Sequence, residues 1–436
     1  MDSLKQLLYR YNPWWTGEFL LKGIILRKAI FQKLLDVYPS KDIILLTGLR
    51  RIGKTTLMRL LIQYIIETKQ LAPERIFYIS MDEYSLRGRT LSQLIDEYRA
   101  IHRLKSSDEI LLFLDEITAL PEYEIQLKNL YDIGGIKVYA SSSSASILRR
   151  GQAYITGRKR VIEVPPLDFE EYLEFKNINV SPLDLHLQRG YFEDFMKSGG
   201  IPEFVLSGDI VYLHQLVDDI ICKDIAAVHG IKQLGVLKDF FMLLMERAGK
   251  SVSINKMARI LEIAPDTAKR YLRLFEETFL IHLISRHGKL NEQLRSPKKL
   301  YAADLGIRVL FTGYRDIGSL FENYVYLKIA HRQPQFFIKD GIEIDFITAD
   351  SCLIEVKYYA ELRIKQQKVF DEYEASRKLV IGSVEDLQEF DEAMPGLDYQ
   401  VRAAVATYAS ASSKVNLGRS PGMEIKTKQN FFATDY

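Results

Sequence analysis

Residues 43 to 58 read IILLTGLRRIGKTTLM: an apolar strand, a glycine-bounded turn, then an amphipathic helix. Gly48, Gly53, Lys54 and Thr55 fit the spacing G-x-x-x-x-G-K-[ST] of a phosphate-binding loop. The glycines let the backbone turn tightly, so that its N–H groups point at a β-phosphate. Lys54 brings a point charge to the β/γ oxygens, and Thr55 offers its hydroxyl to Mg2+. Arg51 and Thr56, in the same stretch, complete the residues expected to line a nucleotide. A loop of this kind implies a nucleotide-driven machine or switch and leaves open what it acts on.

Outward from this loop, apolar runs of strand length alternate with helical patterns. IILLT, RIFYISM, EILLFLDEI, IKVYASS and RVIEV are the strands expected within residues 1–164. Alternation of this kind predicts a parallel α/β sheet buried on both faces. At the end of the third run stand Asp115 and Glu116. An acidic pair there fits a Walker B element, with Asp115 on Mg2+ and Glu116 polarising the attacking water. The fourth run ends in Ser141 to Ser144, hydroxyls suited to sensing a γ-phosphate or to lying in an ordinary polar loop. Arg158, in ITGRKRVIEV, is the candidate for an arginine finger acting in cis or in trans, with Arg149, Arg150 and Arg160 competing.

The segments RYNPWW, GLRRIGKTT, LFLDEI, SSSS, GR with PPLDFEEY, and GGIPE resemble the prokaryotic AAA-type P-loop ATPases with a C-terminal domain of long-unassigned function. The resemblance covers about residues 1 to 390. The phosphate-loop and Asp-Glu motifs are generic to many ATPases; the GR…PL-F-EY and GGIPE segments are more particular to this family. Two departures stand out. Ala140-Ser141 replaces a frequent Thr-Gly, and DEITALPEY lacks a tryptophan-containing turn. The resemblance, rather than any base-reading motif, favours ATP over GTP.

Residues 165–245 are helix-rich, with Pro165 and Pro166 at the boundary, and are read as a helical lid. Residues 246–300 outline a winged helix-turn-helix: SVSINKMARILEI, a turn at APDT with a cap at Asp266 or Thr267, AKRYLRLFEETFLI, then IHLISR. On its second helix Lys269, Arg270 and Arg273 are candidates to touch DNA, although Glu276 and Glu277 share that helix. A rigid lid or subunit contact is the competing reading.

Residues 301–395 hold a second acidic constellation. Glu322 lies on an amphipathic helix, Asp345 on the second strand of a hairpin turning at Asp340-Gly341, and Glu355 and Lys357 on a third strand. Asp, nine intervening residues, then Glu-x-Lys resembles the PD-(D/E)xK nuclease core, and the EN, EIDF and IEVK segments match the same family. Strand alternation puts Glu355 and Lys357 on one face. Glu322, Asp345 and Glu355 are the expected ligands of a second Mg2+ or Mn2+, with Lys357 stabilising the attacking hydroxide or developing charge. An inactive domain kept for binding or packing is the alternative. Residues 396–436 show no clear period and read as a poorly ordered tail.

Bulk properties narrow the classes. The 436 residues suit several domains, and 47% hydrophobic content suffices for their cores. A net charge of +2 means that any nucleic-acid site is a local patch. Cys222 and Cys352 are the two cysteines, which suits a reducing cytoplasm and gives no disulfide framework or zinc site. No apolar run approaches the ~18 residues needed to cross a bilayer. The expected fold class is α/β: a P-loop NTPase parallel sheet, helical lid, winged helix and C-terminal restriction-endonuclease-like α/β domain. The expected function is Mg-ATP hydrolysis serving DNA, with ATP and DNA as partners, no membrane, and a homo-oligomer left open. The rivals are an ATP-controlled signalling or defence switch and a metal-dependent nuclease regulated by ATP.

Overall fold

Five parallel strands organise the first part of the chain in a computed structural model that describes residues 2–17, 19–145, 155, 157–181 and 183–387. They are β1 (Ile43–Thr47), β2 (Ile76–Ser80), β3 (Ile110–Asp115), β4 (Ile136–Ser142) and β5 (Lys159–Glu163), in the order β2-β3-β4-β1-β5. Every residue of β1 and β3 is buried, as continuous apolar strands covered on both faces require. Two cores line the two faces, one built around Phe77, Leu94 and Leu112 and the other around Ile44, Leu61 and Phe113. The parallel sheet read from the sequence is therefore present. Arg149, Arg150 and the 396–436 tail lie outside the described residues.

The edge strand β2 would expose unpaired backbone groups on its outer side. The N-terminal RYNPWW segment covers it. The Asn12 amide acts as a strand surrogate: its nitrogen donates to the Tyr78 carbonyl at 2.9 Å, and its oxygen accepts from the Tyr78 N–H at 2.6 Å. The indole N–H groups of Trp14 and Trp15 both donate to the Ile76 carbonyl, at 3.1 and 2.9 Å.

The helices of residues 165–245 divide their buried faces between two cores. The first helices, Phe169–Phe175 and Leu185–Ser198, bury Phe169, Phe192 and Phe195 in the C-terminal core with Phe321 and Tyr324. The later part, the helix Ile210–Asp219, the π-helix Ile220–Ala227 and the helix Leu234–Glu246, packs into the core that also holds the phosphate-loop helix. Apolar periodicity showed that these helices have a buried face but not which core receives it.

A small three-stranded antiparallel sheet follows, β6 (Lys250–Ser251), β7 (Ile281–Ile284) and β8 (Lys299–Ala302), ordered β6-β8-β7. The helices Ile254–Ile260 and Pro265–Glu277 precede β7. The second starts at Pro265, earlier than the expected cap at Asp266 or Thr267, because proline at the first helical position needs no N–H partner.

The last sheet orders β9 (Gln335–Lys339), β10 (Ile342–Ile347), β11 (Cys352–Val356) and β12 (Arg377–Ile381) as β12-β11-β10-β9, with only β11 and β12 parallel. Asp340 and Gly341 have φ of 53° and 73°, the left-handed pair a two-residue hairpin turn demands.

Candidate nucleotide site and C-terminal acidic cluster

The phosphate loop leaves the carboxyl end of β1 between β4 and β5. Gly48 has φ of 142°, and a Cβ there would lie 2.4 Å from the Val164 carbonyl oxygen. Gly53, at φ 98°, caps the helix Lys54–Lys69. Lys54 is buried, and its ammonium donates to the carbonyls of Gly48 and Leu49, at 3.0 and 2.9 Å, and to Ser143 Oγ at 3.1 Å. Burial holds its pKa below the ordinary lysine value, while Glu116 and Asp115 oppose that shift. All three Lys54 donors thus sit on acceptors that phosphate oxygens can replace.

Asp115 and Glu116, from the end of β3, meet this loop. Asp115 accepts from Thr55 Oγ1 at 2.6 Å, from the Tyr78 hydroxyl at 2.8 Å, and from Ser141 Oγ. A hydroxyl and a carboxylate in contact at the start of the phosphate-loop helix form an oxygen pair suited to Mg2+ beside phosphates. Glu116 sits at φ 46°, a left-handed conformation of the kind stored at functional sites. Its backbone N–H donates to Ser141 Oγ at 3.0 Å, and its carboxylate accepts from Ser143 Oγ at 2.6 Å and Ser143 N at 3.2 Å. Ser143 therefore bridges the Lys54 ammonium and Glu116. Within the serine run, the sequence did not distinguish the residue on Asp115 from the one on Glu116. Nor did it single out Tyr78.

Two neighbouring arginines face the helices above. Arg50 pairs with Asp224 of the π-helix at 2.7 Å, and the Arg51 guanidinium lies 5.4 Å from the Tyr212 ring centre. Thr56, half-buried, follows Thr55 on the first turn of the helix. Beyond the serines, the Ala145 N–H donates to the Glu277 carbonyl at 2.7 Å, joining this loop to the helix Pro265–Glu277.

Arg158 does not share this end of the sheet. Its carbonyl accepts from Ile43 N, and β5 pairs with β1 from Lys159 opposite Ile43 onward. Arg158 is thus at the strand-start edge, with its guanidinium on Asp132 at 3.3 Å and near the Tyr131 ring. The phosphate loop leaves the other end of a five-residue strand, about 16 Å away at the usual rise. The expectation of an arginine finger acting in cis is corrected on that ground. Arg160 pairs with Asp42 at the same edge.

In the C-terminal part, Glu322, Asp345 and Glu355 do come into one neighbourhood, but around a lysine. Lys299 of β8 places its ammonium 2.8 Å from Glu322, 2.7 Å from Glu343 and 3.2 Å from Asp345. Glu355 is fully buried and accepts from Lys357, Gln366 and the Asp345 backbone N–H. Asp345 in turn accepts from Val356 N at 3.0 Å. Burial and the Asp345 charge push the Glu355 carboxyl up to about 8, and burial likewise raises Glu322 to about 7. No group of three or more His, Cys, Asp or Glu among the described residues is arranged to hold a metal ion. The expected second Mg2+ or Mn2+ on Glu322, Asp345 and Glu355 therefore does not fit these residues as arranged. Lys357 is committed to Glu355, and Lys299, which the sequence reading missed, fills the centre.

Lys269, Arg270 and Arg273 are exposed on the outer face of the helix Pro265–Glu277, whose inner face buries Tyr271, Leu274 and Phe275. Arg270 donates to the His229 carbonyl at 2.8 Å, and Arg273 lies 3.6 Å from Glu277.

Comparison with known proteins bears on the domain that holds the first of these sites. Residues 40–173 match the model of an AAA domain, and residues 189–316 that of a domain of unknown function (DUF8612). The chain thus carries an AAA-type domain, a class of domain that points to nucleotide binding and ATPase activity. An uncharacterized protein of Methanocaldococcus jannaschii is 26% identical over 389 residues, covering 84% of this chain and 85% of the relative. A second from the same organism is 27% identical over 402 residues, covering 81% and 84%. One from Haemophilus influenzae is 26% identical over 353 residues, covering 76% and 86%. A solved structure of C. elegans PCH-2 aligns with 40% of this chain and 46% of its own at 16% identity, with a TM-score of 0.24 that carries no argument. No helix among the described residues is long and apolar enough to cross a membrane.

Proposed function

We propose that this protein is a Mg-dependent ATPase whose nucleotide state is passed to the helix Pro265–Glu277, and that DNA is the partner that helix engages. The observation that carries the reading is the unbroken chain Lys54–Ser143–Glu116 beside Thr55–Asp115. Lys54 would take β/γ-phosphate charge, and Glu116 would orient and polarise the attacking water. Mg2+, held by Thr55 and Asp115 with the phosphates, would supply charge neutralisation. Ser143, touching both Lys54 and Glu116, would register whether the γ-phosphate is present. The bond from Ala145 to Glu277 is two residues farther along the same loop.

The exposed Lys269, Arg270 and Arg273 support the DNA part. A second reading is favoured by Lys299: with the C-terminal carboxylates gathered on a lysine, that part would serve as a structural or protein-binding module of an ATP-controlled switch.

The test is ATP hydrolysis by the full chain, alone and with single-stranded, duplex and branched DNA. Glu116→Gln should lower turnover by roughly two orders of magnitude or more while nucleotide still binds. Stimulation by one DNA form supports the DNA reading. Turnover indifferent to every DNA, none of it bound, transfers the proposal to the switch. Full turnover in Glu116→Gln would remove the catalytic assignment.

A further inference from the structure

We infer that Lys299 is the resident cation of the C-terminal acidic cluster: it stands where a divalent metal would have to sit, and a neutral side chain there would open a divalent-cation site on Glu322, Glu343 and Asp345. The three carboxylates come from different elements: Glu322 from the helix Ile317–Ile329, and Glu343 and Asp345 from β10. Their oxygens converge on one nitrogen at 2.7 to 3.2 Å. A hard cation takes carboxylate oxygens at about 2.0–2.6 Å, so the same oxygens would need to close by roughly half an ångström to an ångström. No such closure is available while the ammonium fills the centre.

The lysine is held there from three sides. Its backbone is in β8, the middle strand of its sheet, paired with β6 through Ser251 and with β7 through Ile284. The residue is 2% exposed, so the ammonium is enclosed by its partners. The Tyr301 and Phe346 ring centres lie 5.9 and 6.0 Å from the ammonium, and the Tyr301 hydroxyl donates to the same Glu322 oxygen at 2.7 Å. Those rings are packed in turn, Tyr301 stacking on Tyr326 at 4.3 Å. The aromatic faces favour a cation at that point.

The electrostatic logic is that of a buried charge with its partners. Removing the lysine strands Glu322 and Asp345, 15% and 11% exposed, in a poorly solvated place, which is strongly destabilising unless another cation arrives. A divalent ion is the replacement those oxygens suit. The native chain would then have no metal-dependent activity in this module, and the module would be a nuclease-like framework closed by its own side chain.

Mn2+ binding to the full chain without nucleotide, followed by the loss of the free-ion EPR signal, tests this. In the unsubstituted protein no Mn2+ site should depend on Asp345, so Asp345→Asn should leave the titration unchanged. Lys299→Met should gain one equivalent of Mn2+, lost again in Lys299→Met with Asp345→Asn. Its melting temperature should be lowered without metal and rise with Mn2+, while that of the unsubstituted chain stays put. An Asp345-dependent Mn2+ site in the unsubstituted protein would overturn the inference, because the lysine would then yield to metal. A folded Lys299→Met chain that gains no site would overturn it too. If that variant does not fold, Lys299→Met with Glu322→Gln balances the charge and keeps Glu343 and Asp345. A gain of Mn2+ there supports the inference, and none overturns it.

Discussion

Single side chains decide much of this molecule, and Ser143 is the one to test first at the nucleotide site. It is the hydroxyl that touches both Lys54 and Glu116. Ser143→Ala should lower ATP turnover by roughly tenfold or more and change nucleotide affinity less, since it removes positioning rather than the phosphate cradle. Steady-state kinetics with a separate nucleotide titration checks the split. The run Ser141–Ser144 was legible as a possible sensor, but which hydroxyl faces which carboxylate depends on how β4 lies against β3. Lys299 was illegible for a similar reason. It is 23 to 46 residues from the acids it joins, and nothing local marks a lysine on an apolar strand as their partner. Asp304 is a third such residue. It is buried, and accepts from Gly200 N at 2.6 Å and Ile307 N at 2.9 Å, yet burial outweighs those bonds and lifts its carboxyl to about 6. A carboxyl raised in the folded state binds its proton more tightly there than in the unfolded chain. Its contribution is present in full below about pH 4 and is lost as pH rises through about 6. The stability of the unsubstituted chain relative to Asp304→Asn should therefore fall by on the order of 2–3 kcal/mol from about pH 4 to 7. Denaturant unfolding across that range checks it; a pH-independent difference would refute it.

Elements show where local signals suffice and where they do not. The strands β1 and β3, the phosphate-loop helix and the Asp340-Gly341 hairpin were all readable, because continuous burial, glycine spacing and left-handed turn residues are local features. The helices of residues 165–245 were readable as helices but not as parts of two cores, because periodicity names no partner. The junction between those cores is GGIPE. Leu167 N donates to the Gly200 carbonyl at 2.8 Å, and a Cβ on Gly200 would sit 2.1 Å from the Leu167 carbonyl oxygen. Backbone atoms cannot give way as a flexible side chain does. Gly200→Ala should therefore cost about 2–4 kcal/mol or prevent folding, well beyond a surface glycine replacement. Gly190→Ala, with nothing within 4 Å of its Cβ position, is the matched control inside a helix and should be neutral or mildly stabilising. Equal melting temperatures for the two variants would show that the junction repacks freely.

At the scale of the whole molecule, the question is how a phosphate held at β1 is felt elsewhere. The helix Pro265–Glu277 is tied at its end to the AAA-type region, through the bond from Ala145 N to Glu277 O, and along its side to the segment that follows the π-helix, by Arg270 on the His229 carbonyl. A change at the serine loop therefore pulls on a helix whose outer face is basic. Arg270 is both strap and candidate DNA contact, so its charge reversal confounds the two roles. Lys269 separates them. It is exposed, and among the described residues its side chain has neither a hydrogen bond nor an ion pair, so Lys269→Glu should leave melting temperature and basal turnover unchanged. If this face meets DNA phosphates, the same substitution should weaken binding of every sequence alike and reduce the salt dependence by about one counterion. Arg270→Glu should do this and also alter basal turnover through the broken strap. Binding titrations at several salt concentrations, run beside ATPase assays, read both effects. DNA affinity untouched by Lys269→Glu, with turnover changed by Arg270→Glu alone, would assign the helix to internal signalling. The basic face would then be no more than a solvated surface, and the switch reading would hold.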